Sequence, residues 1–174
     1  MAIKLQRLTT EYDYIEDRIR ISGETRDAGP VVMWLTNRLA TRAVPELLRW
    51  LENQAAPAVV DPSSVSPASA RRELQSFAQA AAVAGLKQQM PVVSEARSPS
   101  WVVKAIDITT TRASLSMTFR GEQDQSASLR FDATGLRQWL SILHRAWSKA
   151  QWPSLVWPDW IERDESPPRD AVRH

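Results

Sequence analysis

VVMWLTNRLATRAVPELLRWL, at residues 31–51, decides how the rest of the chain is read. Its first five residues are apolar without interruption, and Thr36 and Asn37 then make a polar corner. Apolar residues recur at helical spacing after the corner, through Ala40, Ala43, Val44, Leu47 and Leu51. The pattern predicts a short strand and an amphipathic helix capped by the side-chain oxygen of Thr36 or Asn37. Arg38, Arg42 and Arg49 lie off the apolar stripe. Pro45, inside the helix, removes one hydrogen bond and crowds the carbonyl four residues earlier, which predicts a kink.

The pattern returns 96 positions later, as ASLRFDATGLRQWLSILHRAW at residues 127–147. Without a gap, Ile19 and Ile21 align with Leu115 and Met117, and Met33 and Leu35 with Leu129 and Phe131. Ala40, Ala43, Val44, Leu47 and Leu51 align with Leu136, Trp139, Leu140, Leu143 and Trp147. Matches in one register across two strands and a helix predict structural repeats. A half of roughly 50 residues buries both a sheet face and a helix poorly on its own, so the halves should share a core. The expected fold is α+β, with duplicated halves, each a β-hairpin plus helix, related by a pseudo-two-fold. An antiparallel sheet or partly closed barrel carries the packed helices. One domain is expected over 1–160: half one at 3–53, linker and inserted helix at 54–100, half two at 101–150, and a Trp/Pro tail at 151–162. Residues 163–174 read as a disordered tail.

Around the repeats, residues 3–15 read as extended, with a break of phase at Ile15. Residues 18–22 alternate as a half-buried strand and pair with 31–35 across the polar turn 23–30. Ser66-Pro67 starts a helix that runs to residue 84 and stops at Gly85, burying Leu74, Phe77, Ala78 and Ala81. Val102, Ile106 and Ile108 point one way along a further strand. Asp132 caps the second repeat's helix. Val32 and Trp34 are apolar on the face where the second repeat has Ser128 and Arg130, so only the first copy needs an outer cover. The inserted helix or the tryptophan-rich tail is expected to supply it.

Composition narrows the function. No cysteine is present, which excludes disulfides, thiolate metal sites and a cysteine nucleophile. His144 is the only histidine besides the terminal His174, and it reads as a buried, hydrogen-bonded side chain rather than a base. Five glycines, with no GxGxxG, Walker loop or nucleophile elbow, leave little for a phosphate cradle or an acyl-transfer site. Glu11, Asp13, Glu16 and Asp17 alternate with tyrosines on what reads as a solvated edge. No apolar run reaches the ~18 residues of a membrane span. The expectation is a cytoplasmic, non-enzymatic protein with no cofactor, no metal, no membrane contact and no identified small molecule.

Two binding roles remain. A protein-interaction or scaffold role, with a protein partner or a second copy, would use Val32 and Trp34 or the tail residues Trp152, Trp157 and Trp160, because tryptophan is enriched in interface hot spots. The alternative is single-stranded nucleic acid held across the sheet by Arg18, Arg20 and Arg130. Repeated sheet-then-helix halves are similar in arrangement to the PUR-alpha and Whirly single-strand binders, which have four strands per half where three are counted here. A net charge of only +2, from 22 basic and 20 acidic residues, argues against a strong phosphate-binding surface, despite an isoelectric point near 9.3.

Overall fold

The computed structural model describes residues 1–54 and 66–162. The middle of the expected linker and the expected disordered tail at 163–174 lie outside the described residues. Half one is β1 (Ile3–Asp13), β2 (Arg18–Thr25), β3 (Val31–Leu35) and α1 (Asn37–Gln54). The inserted helix α2 (Pro67–Ala84) follows. The second set is β4 (Ser100–Val102), β5 (Ala105–Thr110), β6 (Leu115–Arg120), β7 (Ser126–Phe131) and α3 (Ala133–Lys149), with one helical turn, α4 (Asp159–Glu162), in the tail.

All seven strands form one mixed sheet, curled into a half-barrel, in the order β4-β3-β2-β1-β7-β6-β5. The sheet is not purely antiparallel as expected, because β1–β7 and β3–β4 are parallel pairs. Its first and last strands are consecutive pieces of one segment, separated only by Val103 and Lys104. There the chain changes partner: the Val103 amide donates to the Trp34 carbonyl at 2.9 Å, and the Lys104 amide to the Arg120 carbonyl at 2.7 Å. The sheet therefore curls until its two ends meet. Trp101 and Val103 point into the core before the junction and Ile106 and Ile108 after it, so the inward phase flips there. The expected single alternation from Val102 through Ile108 is corrected accordingly.

β1 makes the same change of partner. Ile3 and Lys4 pair with Ala127 and Ser128 of β7, and from Leu5 onward the strand pairs with β2. The break expected at Ile15 is the hairpin turn of residues 14–17, where Ile15 sits exposed, and β1 has a further register shift between Leu5 and Arg7. Both helices pack on the core face of the sheet against the opposite half, α1 over β5 and α3 over β1. Trp50 Nε1 donates to the Thr111 carbonyl at 3.1 Å, and Trp139 Nε1 to Thr10 Oγ1 at 3.0 Å, which fixes each crossing. Ile19, Ile21, Met33, Leu35, Leu115, Met117 and Phe119 meet Leu47, Leu51, Leu136 and Leu140 in a core closed to solvent. α1 is one helix through Pro45, with the Thr36 carbonyl and hydroxyl accepting from its first amides. Asp132 caps α3 by accepting from the Gly135 amide at 2.7 Å.

The outer cover of β3 differs from expectation. α2 packs on α3 and α4, and the tail packs on α3, so neither lies over Val32 and Trp34. An irregular strap at 87–99 crosses that face instead. The Met90 carbonyl accepts from Arg7 at 2.7 Å, the Val92 amide donates to Thr9 Oγ1 at 2.8 Å, and Ser94 Oγ accepts from Arg20. The Pro99 carbonyl then accepts from the Val32 amide at 2.8 Å.

Closure of the sheet depends on Gly121, which follows β6. A Cβ placed there would lie 2.5 Å from Trp101 Cδ1 and 2.6 Å from Gln125 Oε1. Gly121→Ala is therefore expected to lower stability by about 1–3 kcal/mol through overpacking, read as a lower denaturation midpoint in urea.

Candidate functional site

Beyond Lys4 and Ser128, β1 and β7 separate, and neither has a further ladder partner on that side among the described residues. The parting opens a cleft of about 780 Å³. Its walls are β1 residues 6–10 and β7 residues 129–131, its floor comes from α3, and residues 85–91 form its rim. Leu8, Leu129 and Ile142 give it a half-buried apolar floor. Arg7, Lys87, Arg130 and Arg145 also line it, and no carboxylate does.

The four cations are not equivalent. Arg7 is bound bidentately by Glu24, at 2.7 and 3.3 Å, and held to the strap by Met90. Arg130 Nε donates to Ser114 Oγ at 2.9 Å and Arg145 Nη2 to Ser141 Oγ at 3.4 Å, both neutral acceptors. Arg130, Arg145 and Lys87 make no ion pair with another described residue. Phe131 and Trp139 also reach the cleft, but they stack on each other with centroids 5.5 Å apart and are almost wholly buried.

The residues singled out from sequence fall in three places. Val32 is buried, and Trp34 is half-buried beneath Arg20, whose guanidinium lies 5.9 Å from its ring centroid. Arg18 pairs with Glu16 at 3.4 Å, and Arg20 with Glu11 at 3.2 Å as well as with Ser94. Both lie on β2, with β1 between them and Arg130 on β7, so the three arginines form no common patch. Of them, only Arg130 lines the cleft.

Trp152, Trp157 and Trp160 are turned inward, 9%, 6% and 5% exposed, so they offer a partner no free face in this state. Trp152 and Trp157 meet Trp147 edge-on, at 5.2 and 5.4 Å, and Trp147 Nε1 donates to the Pro153 carbonyl at 3.1 Å. His144 lies buried with Trp157 edge-on at 4.9 Å. Trp160 supports the guanidinium of Arg137 at 5.3 Å.

Arg137 is a buried cation between α2 and α3. Its Nη2 donates to Gln75, and its carbonyl accepts from Gln79 at 3.1 Å. Burial lowers its pKa from the ordinary arginine value. α2 thus presents Gln75 and Gln79 to the domain, while Leu74 and Phe77, expected to be buried, face solvent.

The acidic group near β1 is consumed locally. Asp13 accepts from the Ile15 and Glu16 amides, and Asp17 accepts from the Tyr12 hydroxyl at 2.7 Å, which raises the Tyr12 pKa. Lys87, Arg145 and Ile142 were not candidates from sequence. Their signal is the lack of acidic residues in three separated stretches, 3–10, 74–94 and 133–158. The fold brings all three to the cleft.

No family model, curated protein or solved structure matches the chain.

Two stability tests address the packing around α3. Trp157→Ala is expected to cost about 3–5 kcal/mol, as for other buried large aromatics, seen as a clear fall in Tm. Gln75→Leu strands the Arg137 guanidinium and is expected to cost about 1.5–3 kcal/mol. Adding Arg137→Met removes the donor as well, and the double variant should return to within about 1 kcal/mol of the native chain in urea titration.

Proposed function

We propose that the chain is a non-catalytic interaction module, built from two copies of one three-strand-and-helix unit, that holds an extended acidic segment of a protein partner in the β1–β7 cleft. The duplication is supported by strand registers. Ile19↔Leu35 and Ile21↔Met33 recur 96 positions later as Leu115↔Phe131 and Met117↔Leu129. Lys4↔Ser128 corresponds to Ser100↔Val32 when each partner is moved one copy along. The helix crossings, α1 over β5 and α3 over β1, also exchange under that operation.

The binding reading rests on one observation: a cleft between two unpaired strand edges, with four cations and no carboxylate around an apolar floor. Strand edges accept an extended peptide through main-chain hydrogen bonds, and alternate side chains then face opposite ways. Here the set facing α3 would rest on Leu8, Leu129 and Ile142 with Arg145 beside them, and acidic side chains at the cleft's edge would reach Arg130 and Lys87. A ligand that alternates apolar and acidic residues fits both.

Single-stranded nucleic acid draws less support. Base stacking needs exposed rings, whereas Phe131 and Trp139 are buried against each other and Trp34 lies beneath Arg20. Arg18 and Arg20 already have carboxylate partners.

The test is fluorescence anisotropy with a labelled peptide of alternating glutamate and valine. Saturable binding that weakens with salt is expected, and Arg130→Glu with Arg145→Glu should weaken it by about tenfold or more, since charge-assisted hydrogen bonds contribute about 1.5–3 kcal/mol each. No binding at low salt overturns the reading. So does equal binding of an alternating lysine–valine peptide, and tighter binding of labelled oligo(dT) would favour nucleic acid.

A further inference from the structure

α2 is amphipathic with its faces reversed. Gln75, Gln79 and Ala82 are buried against the domain. On the opposite side Leu74 is 41% and Phe77 is 77% exposed, with Ala81 and Ala84 exposed beyond them. With the half-buried Ala70, these residues are spaced 4, 3, 4 and 3 apart, the seam of a coiled coil. An exposed phenylalanine within such a seam needs a covering surface.

We infer that α2 is a self-association helix, covered by α2 of a second copy running antiparallel. The seam is graded along its length, with Leu74 and Phe77 in the N-terminal half and only Ala81 and Ala84 in the C-terminal half. A helix packed antiparallel sets each large residue against an alanine: Phe77 against Ala81 of the second copy, and Leu74 against Ala84. A parallel helix would set Phe77 against Phe77 and leave the alanine layers under-filled.

The seam is short for an isolated coiled coil, but α2 needs no help to fold. It is held on α3 by the Gln79 bond to the Arg137 carbonyl and by Gln138, which donates to the Ala82 carbonyl at 2.9 Å. Its N-terminus is capped by Ser66, which accepts from the Ser69 amide at 3.3 Å. The helix is presented already formed, so association pays little ordering entropy.

The test exploits the cysteine-free chain. Light scattering of the full chain should give twice the 19.7 kDa monomer mass, falling to the monomer mass for Phe77→Glu. Because Phe77 is exposed in the single copy, that variant should keep its far-ultraviolet spectrum and its unfolding curve at high dilution. The pairing places the two-fold axis beside Gln79. Ala80→Cys should then join to its counterpart with a short bismaleimide, whereas Ala70→Cys, about 27 Å from its own at about 1.5 Å per residue, should not. A monomer at every concentration overturns the inference, as does a dimer unaffected by Phe77→Glu. Joining at Ala70→Cys but not at Ala80→Cys overturns the antiparallel order.

Discussion

Residues 100–110 pair with β3 at one end and with β6 at the other, and the remaining geometry follows from that double pairing. An open seven-stranded sheet would present two unpaired edges, each a template for unwanted pairing. Here the edges are two parts of one segment, so the sheet must curl for both to be reached. Curling obliges each helix to cross to the opposite half, which Trp50 and Trp139 secure through their indole N–H groups. It also obliges β1 to leave β7 after two residue pairs, because the strand must swing to β2. The cleft is what that departure leaves open.

The insertion and the tail both pack on α3 and meet each other through α4, but by different chemistry. Trp152 and Trp157 bury Trp147 in edge-to-face contacts, an arrangement aromatic rings favour beyond their area alone. α2 meets α3 through glutamines and a buried guanidinium, with Arg137 Nη1, Gln79 Oε1 and Ser76 Oγ lacking hydrogen-bond partners among the described residues. Such an interface is specific in register and weak in net energy, because desolvating the polar groups offsets much of what their bonds return. The aromatic contacts supply stability, and the polar ones fix where α2 sits.

Much of this fold is legible in the residues. Apolar spacing places β2, β3, β6 and β7 and all three long helices, and Thr36, Ser66 and Asp132 mark the helix starts. The errors share a physical origin. Periodicity reports that α2 has an apolar stripe, but not that the domain takes the other face; Arg137, far along the chain, decides that. The phase changes at Leu5–Arg7 and at Val103–Lys104 are set by an exchange of strand partners, which leaves no mark in local propensity. The strap over Val32 carries no periodic pattern, because its bonds are main-chain and hydroxyl contacts that sequence scarcely constrains.

The cleft shows why whole-chain charge is a poor guide to local chemistry. A net charge of +2 argues against an anion-binding surface only if acids and bases are mixed evenly. They are not mixed here: Glu11, Glu16 and Glu24 are matched to Arg20, Arg18 and Arg7 across β1 and β2, so those arginines exert little field at a distance. Arg145 and Lys87 come from stretches that hold no acids, and Arg130 donates to Ser114 although Asp132 is near in sequence, so folding concentrates positive charge without changing the total. Coulombic attraction decays over about 8–10 Å at physiological salt, so a ligand in the cleft responds to those three cations more than to Arg7, which Glu24 neutralises at the cleft wall, or to the paired Arg18 and Arg20 on β2. The same matching explains why the β2 arginines are the weaker candidate: Arg18 and Arg20 are already paired with Glu16 and Glu11.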